Sequence, residues 1–531
     1  MKAEKSSITR RFFRSLMLMR YGATVLLIVV TCASISAQPR ANRALSKEDD
    51  AFLEDLSRRS FRFFWEQADP KTGLVSDRAR ANGAPYNDDH RSRNIASSAA
   101  TGFGLTALCI AAERGWVARQ AVRERVLITL RFYAEQSPHE HGWFYHFVDR
   151  ETGERRWNSE ISSIDTALLL GGVLTARQYF RHDPEIVRLA TLIYERVDFP
   201  WMLAGDSLLI SMGWRPETGF IKHTWNHYSE HTMLQLLAIG SPTHPIKPGA
   251  WMAWHRLRLT YGGYTYLTFL RAPLFIHQYS QAWVDYRDWE ESWYPYTNYF
   301  ENSVKATLAH REFCMSLSDK FPGYSENVWG ITASDSAKGY RAWGGPPATP
   351  DIDGTVVPCA AGGSLMFTPE ITLAALKTMY ERWGNRIYTH YGFIDAFNPN
   401  NGWVNPDVIG IDLGITILSA ENLRTGNVWR WFMRNREIPR GMRLAGFRKA
   451  ARGSRNLKKV QIQLPVTSVS LCLGGDLFPS EFITTEAQRH RTISSSHNSK
   501  ARFAQVFRIR TNHDPELTRL DHKPHCTIVK T

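Results

Sequence analysis

The sequence predicts an all-α fold, an (α/α)6 toroid in which about twelve helices form two concentric rings. Helical periodicity recurs along residues 44–447 of the 531-residue chain. Two kinds of helical segment alternate along the chain. One kind, such as Ile161–Phe180, is apolar on nearly all sides, and the other, such as Pro184–Val197, is apolar on one face only. Strand-like alternation is confined to short stretches such as Trp143–Val148. An inner ring of buried helices and an outer ring of half-exposed helices follow from this pattern.

Local signals place the individual helices. Ser46 is a good N-cap for the first, and Pro184 stands at the start of the fifth, where proline is tolerated. The predicted helices are Asp49–Glu66, Asn94–Arg114, Val117–Gln136, Ile161–Phe180, Pro184–Val197, Tyr228–Ile239, Pro248–Leu257, Leu274–Asp285, Thr297–Ser318, Pro369–Trp383, Pro406–Ser419 and Ala420–Arg434.

Three connecting segments are long, aromatic and rich in glycine: Asp198–Trp225, Tyr286–Tyr296 and Gly323–Thr368. Loops of this length in a compact domain usually carry function. We therefore expect them to build the walls of a cleft at one end of the toroid.

The net charge of +14 is concentrated at the two ends of the chain. Residues 1–43 carry +7 and residues 448–531 carry +9, whereas residues 44–447 carry −2. The folded part therefore has no charge surplus that would favour nucleic acid, and no nucleic-acid partner is expected. All 18 Trp residues also lie in the middle segment.

Both ends differ in kind from the middle segment. Residues 1–37 read as an export signal: a basic stretch with Arg10 and Arg11 precedes an apolar run, Ala23–Val30, and small residues follow it. A twin-arginine signal and an ordinary secretory leader both fit. We expect a periplasmic or extracellular protein with no stable membrane span after signal removal. Residues 448–531 form a basic tail that is expected to be disordered, and either an interaction arm or an altered reading frame would explain it.

The cysteines indicate neither a disulfide framework nor a metal site. Cys109, Cys314 and Cys359 are the three in the middle segment, and they lack a C-x-x-C spacing. Cys109 lies on a helical apolar pattern and is expected to be a buried thiol. No metal and no cofactor are predicted.

Three acidic residues stand where helices of the inner ring begin. Glu160 and Asp165 flank the start of Ile161–Phe180, and Glu230 precedes the next inner helix among aromatic residues. Helix starts favour carboxylates, so capping alone would explain one of them. A carboxyl group beside aromatic rings, however, can have its pKa raised by desolvation, which suits a general acid.

Paired carboxyl groups in a tryptophan-lined cleft are the minimum equipment for glycoside hydrolysis. Glu230 is the predicted general acid, with Asp165 or Glu160 assisting the attacking water. The predicted substrate-binding residues are Trp214, Trp225, Tyr228, His277, Tyr279, Trp329, Asp335, Arg341 and Trp343.

Eight blocks of sequence, in order and at consistent spacing, resemble the glycoamylase-like domain. They are Ser159–Leu170, Gly240–Pro245, His277–Ser280, Tyr299–Ser303, Trp329–Asp335, Gly354–Val356, Ala360–Ser364 and Tyr391–Asn398. The resemblance covers about Phe52 to Trp431 and implies an (α/α)6 barrel like glycoside hydrolase family 144, whose members include inverting bacterial β-1,2-glucanases. It also implies an acidic pocket at Glu160, Asp165 and Glu230. This chain departs from the family's Asp-Gln-Gly-Pro at Asp412-Leu413-Gly414-Ile415.

The sequence thus predicts an exported glycosidase that cleaves a β-glucan, most of all a β-1,2-glucan, by inversion. Its partner would be a polysaccharide or oligosaccharide. Three alternatives stay open: a transglycosylase acting on the same glucan, a polysaccharide lyase, and a non-catalytic carbohydrate-binding protein.

Overall fold

The computed structural model describes residues 45–293 and 297–450. These residues all belong to the first of two units into which the chain divides, Met1–Cys472, and the second unit, Leu473–Thr531, lies outside them. The predicted export signal, and the predicted tail from residue 451 onward, also lie outside the described residues.

Thirteen α-helices occur in the described residues, with four short 3-10 helices between them. The α-helices are α1 (Lys47–Glu66), α2 (Ser98–Glu113), α3 (Arg119–Glu135), α4 (Ser163–Tyr179), α5 (Pro184–Glu195), α6 (Thr232–Gly240), α7 (Tyr279–Trp283), α8 (Tyr299–Ser316), α9 (Pro358–Gly362), α10 (Pro369–Trp383), α11 (Gly410–Arg424), α12 (Asn427–Phe432) and α13 (Glu437–Leu444). The 3-10 helices are Trp201–Leu203, Pro248–Met252, Leu274–His277 and Gly384–Arg386.

Short antiparallel strands connect the helices and form small sheets of two or three strands. They are β1 (Arg78–Arg80), β2 (Ile95–Ser97), β3 (His139–Glu140), β4 (Trp143–Phe144), β5 (Phe147–Asp149), β6 (Ile161–Ser162), β7 (Gly213–Arg215), β8 (Gly219–Phe220), β9 (Leu257–Tyr261), β10 (Tyr264–Thr268), β11 (Trp289–Glu291), β12 (Ala333–Ser334), β13 (Arg341–Ala342), β14 (Tyr388–Thr389), β15 (Gly392–Phe393), β16 (Asp407–Ile409) and β17 (Phe447–Lys449).

Six helices that are buried nearly all round form a closed inner ring: α2, α4, α6, α7, α9 and α11. Each packs on the next except at α7 and α9, and α11 returns to α2. The gap between the short helices α7 and α9 is bridged by Gln278, whose amide donates to Ala360 O (2.9 Å) and Ser364 Oγ (2.7 Å). The predicted (α/α)6 toroid is confirmed.

The outer ring consists of helices with one buried face, among them α1, α3, α5 and α10. Ser46 caps α1 through its side chain, as predicted. Charged side chains then join the outer ring to the inner one. Arg424 of α11 donates to Asp50 (2.7 Å) and Glu54 (2.7 Å) of α1, which ties the first described helix to one near the end of the chain.

Glycines let α2 and α4 approach closely. A Cβ on Gly102 would overlap the carbonyl of Leu168, and a Cβ on Gly172 would overlap the carbonyl of Gly102. The two backbones therefore lie in direct contact where these helices cross, which a larger residue would prevent.

Gly102→Ala is expected to lower the free energy of unfolding by about 2–3 kcal/mol, because the clash exceeds the roughly 1 kcal/mol that alanine gains in a helix. Urea denaturation followed by circular dichroism measures this change. Gly249→Ala is the matched control, since its Cβ would make an ordinary 3.6 Å contact with Leu208. Equal stability of the two variants would show that the helices do not cross at Gly102.

Extended segments link the N-termini of α11, α2 and α4 at one end of the ring. We call residues 75–78, 95–98, 145–147, 160–163 and 210–213 the collar. Backbone hydrogen bonds join the segments of the collar to one another and to α11. In each of them the N–H of the first residue donates to the carbonyl of the second: Gly410 to Asp77 (2.7 Å), Asp77 to Ile95 (2.9 Å), Ser98 to His146 (3.1 Å), His146 to Glu160 (3.0 Å) and Ser163 to Met212 (3.2 Å).

One predicted helix is wrong. Pro248–Leu257 forms a 3-10 helix only as far as Met252, and the chain then enters a β-hairpin of β9 and β10. Gly262 and Gly263, both at positive φ, make the turn, and the flanking residues alternate in the strand manner. The helix boundary predicted near residue 420 is also wrong, because α11 continues to Arg424.

Short elements were missed at α9 and α13, and the predicted boundary between residues 447 and 448 falls inside β17. Cys109, Cys314 and Cys359 are buried and form no disulfide within the described residues, so the expectation for Cys109 is confirmed. Within the described residues, no helix combines the length and apolar character that crossing a membrane requires.

Candidate active site

Glu160 and Asp165 lie on either side of the imidazole ring of His146. His146 Nδ1 is 2.9 Å from Glu160 Oε1, and His146 Nε2 makes a 3.2 Å ion-pair contact with Asp165 Oδ1. All three side chains are buried. The collar produces this arrangement, since it brings residues 145–147 beside the segment that leads into α4.

Asp165 occupies the first turn of α4 without being its cap. Ser162 is the N-cap, and its hydroxyl oxygen accepts the backbone N–H of Asp165 (3.3 Å). The same hydroxyl lies 2.5 Å from Asp165 Oδ2, to which it can donate. Ser162 satisfies the helix end, so the carboxylate of Asp165, which lies buried close to the positive end of the helix dipole, is not required as the cap.

Glu160 is held from its other side by a cation. Arg215 of β7 donates from Nη2 to Glu160 Oε2 at 3.2 Å. The four side chains thus form a row, Arg215, Glu160, His146 and Asp165, in which charged partners alternate along the collar.

His146, Glu160 and Asp165 are also a group that could hold a metal ion, because one ligand atom of each lies within 4.8 Å of the others. The observed contacts favour an ion-pair network instead. Both ring nitrogens of His146 already face carboxylate oxygens directly, and the guanidinium of Arg215 reaches Glu160, where it would repel a cation.

Glu230 immediately precedes α6 and is 3% exposed. The hydroxyl of Ser229 donates to its Oε2, and that of Ser280 donates to its backbone carbonyl. The pKa of Glu230 is raised to about 7, mainly by burial and also by the charge of Asp165, whereas the hydrogen bond from Ser229 lowers it. Glu230 is therefore the carboxyl group best suited to hold a proton near neutral pH.

The structure buries most of the predicted substrate-binding aromatic residues. Trp225 donates to Ser163 Oγ (2.9 Å) at the start of α4, and Tyr279 packs on Phe103. Trp214 of β7, by contrast, is half exposed and pairs with Ile161 beside Glu160. Of the tryptophans predicted to bind sugar, it is the one that the described structure leaves accessible next to the carboxyl groups.

Tyr228 and His277 form a buried pair. The Tyr228 hydroxyl is 3.2 Å from His277 Nδ1, and His277 Nε2 is 3.4 Å from Thr268 Oγ1. Burial lowers the pKa of His277 to about 3, so this histidine is neutral at physiological pH. It sits behind the segment that carries Glu230 and supports it.

A second group of charged residues lies where the collar reaches α11. Arg78 is buried and donates to Asp335 Oδ2 (2.8 Å) and Asp77 Oδ2 (3.1 Å). Asp395 accepts the backbone N–H of Asp335 (2.9 Å) and the amide of Asn405 (2.7 Å). Burial raises the pKa of Asp395, and the charge of Asp335 raises it further.

Arg341, Trp343 and Trp329 belong to the loop that carries Asp335. Arg341 pairs with Ser334 across β12 and β13 and is half exposed, whereas Trp343 is buried and donates to Ser334 Oγ (3.1 Å). Trp329 is fully buried. Asp335 and Arg341 are thus the polar residues that this hairpin presents near the second group.

Sequence reasoning missed five members of these groups: His146, Arg215, Arg78, Asp77 and Asp395. A lone histidine or arginine in a short strand gives little signal by itself. His146, however, lies in the aromatic stretch Trp143–Val148 that was singled out as strand-like. A strand that leads to a carboxylate-rich helix start is the pattern that could have revealed it.

The chain is similar to a known protein family and to proteins of known sequence and structure. The family model described as "Putative glucoamylase" matches residues 222–436. A curated relative, the exo β-1,2-glucooligosaccharide sophorohydrolase (non-reducing end) of Parabacteroides distasonis, is 29% identical over 430 residues, which are 74% of this chain and 57% of that protein. The chain therefore spans little more than half the length of this relative.

Solved structures of similar proteins include two β-1,2-glucanases. The endo-β-1,2-glucanase from Chitinophaga pinensis, solved with sophorotriose and glucose, has a TM-score of 0.70 and 28% identity, covering 76% of this chain and 99% of that one. The β-1,2-glucanase from Parabacteroides distasonis has a TM-score of 0.68 and 27% identity, covering 75% and 60%.

A closed ring of buried helices with carboxyl groups at their N-terminal ends defines the chain as an (α/α)6 toroid protein. Within that class it is similar, over residues 222–436, to the family described as "Putative glucoamylase", in keeping with the sequence blocks, and the proteins that it resembles include a sophorohydrolase and two β-1,2-glucanases.

Proposed function

We propose that this protein is a glycoside hydrolase that cleaves β-1,2-glucan. The observation that carries the proposal is the buried carboxyl group of Glu230, whose raised pKa of about 7 lets it deliver a proton near neutral pH. The relatives with similar chains are described as acting on β-1,2-linked glucans, which favours the same linkage here.

Glu230 would act as the general acid and protonate the oxygen of the leaving sugar. Asp165 is the carboxylate whose charge raises the pKa of Glu230. It would take a proton from the attacking water. Glu160 would hold His146 and Arg215 in place instead, because each of its oxygens already contacts one of them.

Inversion is the stereochemical course that the contacts of Asp165 support. A nucleophilic carboxylate needs an oxygen that is free to bond the anomeric carbon, whereas a general base needs only to accept a proton from water. Asp165 is held through both oxygens, by His146 and by Ser162. The sequence of residues 1–37 supports the further proposal that the protein is exported.

Purified protein incubated with linkage-defined glucans tests the substrate. We expect reducing ends to be released from β-1,2-glucan, with α-anomers appearing first by NMR, and no release from starch. Chain-length analysis of the products would separate endo from exo cleavage, and new longer glucans would indicate transglycosylation instead. Hydrolysis of starch but not of β-1,2-glucan would overturn the proposal.

A further inference from the structure

His146 is tied into the collar by its backbone as well as by its ring. Its N–H donates to Glu160 O (3.0 Å), and its carbonyl accepts the N–H of Ser98 (3.1 Å). The ring is fully buried and stacks on Phe147 with centroids 4.0 Å apart and planes 13° apart. The imidazole therefore has one defined position, with Nδ1 toward Glu160 and Nε2 toward Asp165.

The ring separates two buried carboxyl groups that would otherwise face each other. Without it, Glu160 would keep the contact with Arg215, whereas Asp165 would keep the hydroxyl of Ser162 and the end of α4. A buried carboxylate that loses a cationic or hydrogen-bonding partner is strongly disfavoured. The charged groups that bear on this position are Glu160, Asp165, Arg215 and, through Asp165, Glu230.

We propose that His146 is a positioning residue for the hydrolysis proposed above. Its Nε2 holds the carboxylate of Asp165 in place, while Glu160 and Arg215 anchor its Nδ1 side. The inference rests on the proposed function, and it concerns a residue that does not itself touch the sugar.

Two amide substitutions separate the two sides of the ring. The amide of His146→Gln reaches about as far as Nε2 and can still contact Asp165, whereas the shorter amide of His146→Asn reaches about as far as Nδ1 and contacts Glu160. We expect kcat on β-1,2-glucan to fall about 100-fold in His146→Asn and less than about tenfold in His146→Gln. KM should stay within about twofold in both variants, because the ring does not bind substrate.

The pH profile gives a readout that a purely structural role would not move. His146→Asn removes the nitrogen that lies 3.2 Å from Asp165. Loss of such a partner disfavours the charged form of a buried carboxyl group, so the acidic limb of kcat should shift to higher pH. In His146→Gln the limb should stay close to that of the wild type. Melting temperatures measured alongside show how much of each loss is due to unfolding.

His310→Gln is the control for losing a buried imidazole elsewhere. His310 is buried and its Nε2 accepts the N–H of Ile331 (2.9 Å), an acceptor role that the glutamine oxygen can take over. Its stability is expected to fall while its kcat and pH profile stay those of the wild type.

Each outcome decides one question. A wild-type protein that leaves β-1,2-glucan intact overturns the proposed function. An active wild type with equal kcat losses in the Asn and Gln variants, or with losses that follow melting temperature alone, overturns the role of His146. Stoichiometric metal in the purified protein, lost in both variants and needed for activity, would also overturn it in favour of a metal site.

Discussion

Glu230→Gln is expected to lower kcat on β-1,2-glucan by about 1,000-fold while the protein stays folded. The amide keeps the shape of the carboxyl group but has no proton to give, and a positioned general acid contributes about 100- to 10,000-fold to such reactions. In the wild type, kcat should fall as the pH rises through about 7, because the deprotonated group no longer serves as an acid.

The same variant should be more stable than the wild type at alkaline pH. The pKa of Glu230 is raised from 4.5 to about 7 in the fold, so the folded state binds more protons than the unfolded chain between these values. Stability therefore decreases as the pH rises through this window, by about 3 kcal/mol in all, and glutamine removes that cost. Urea denaturation at pH 4.5 and pH 8 measures the difference.

Glu135→Gln, at the exposed end of the outer helix α3, is the control for both measurements. It should leave activity and its pH dependence unchanged. A Glu230→Gln variant that hydrolyses the glucan at the wild-type rate would remove Glu230 from the mechanism, whatever its stability.

Arg78→Met is expected to lower the free energy of unfolding at neutral pH by about 3–5 kcal/mol. Methionine keeps the apolar stem but leaves Asp77, Asp335 and Asp395 close together without their buried cation, and breaking a buried pair in this way costs about that much. Since protonation relieves the repulsion among the carboxyl groups, part of the loss should be recovered at pH 5.

Arg93→Met is the matched control, because Arg93 pairs with Asp88 at the surface, where both side chains are largely exposed. Its cost should be below about 1 kcal/mol. Adding Asp335→Asn to Arg78→Met should recover stability, since it removes one of the unpaired charges. Equal stability of the Arg78 and Arg93 variants would show that the buried network is not formed.

The fold was predictable because the helices that build it carry strong periodic signals. The inner helices α2 and α4 could be recognised by their all-round apolar character, and the starts of α1 and α5 by Ser46 and Pro184. Prediction failed where a short element depends on a turn. The helix predicted over Pro248–Leu257 ends at Met252, because the chain then leads into the hairpin that turns at Gly262-Gly263.

The candidate site was predictable in part, for a similar reason. Glu160, Asp165 and Glu230 stand at helix starts, which a sequence displays directly. Arg78 owes its role to Asp335, which is 257 positions away along the chain. His146 and Asp395 have nearer partners, but they meet them only through the folding of short strands and loops. Burial of Trp225, Trp329 and Trp343 could not be foreseen, because an aromatic residue in a loop suits a cleft wall and a core equally well.

The ion pair between Arg424 and Asp50 joins positions that are 374 residues apart. Pairings this remote are slow to form, because most of the intervening polypeptide must be ordered before they contribute any favourable energy. A nascent polypeptide that lacks α11 can therefore form several helix pairs but cannot close the inner ring. The ring closes only after α11 has been synthesised. Catalytic competence would consequently be among the last properties that a newly made molecule acquires, and a truncation that removes α11 would abolish it.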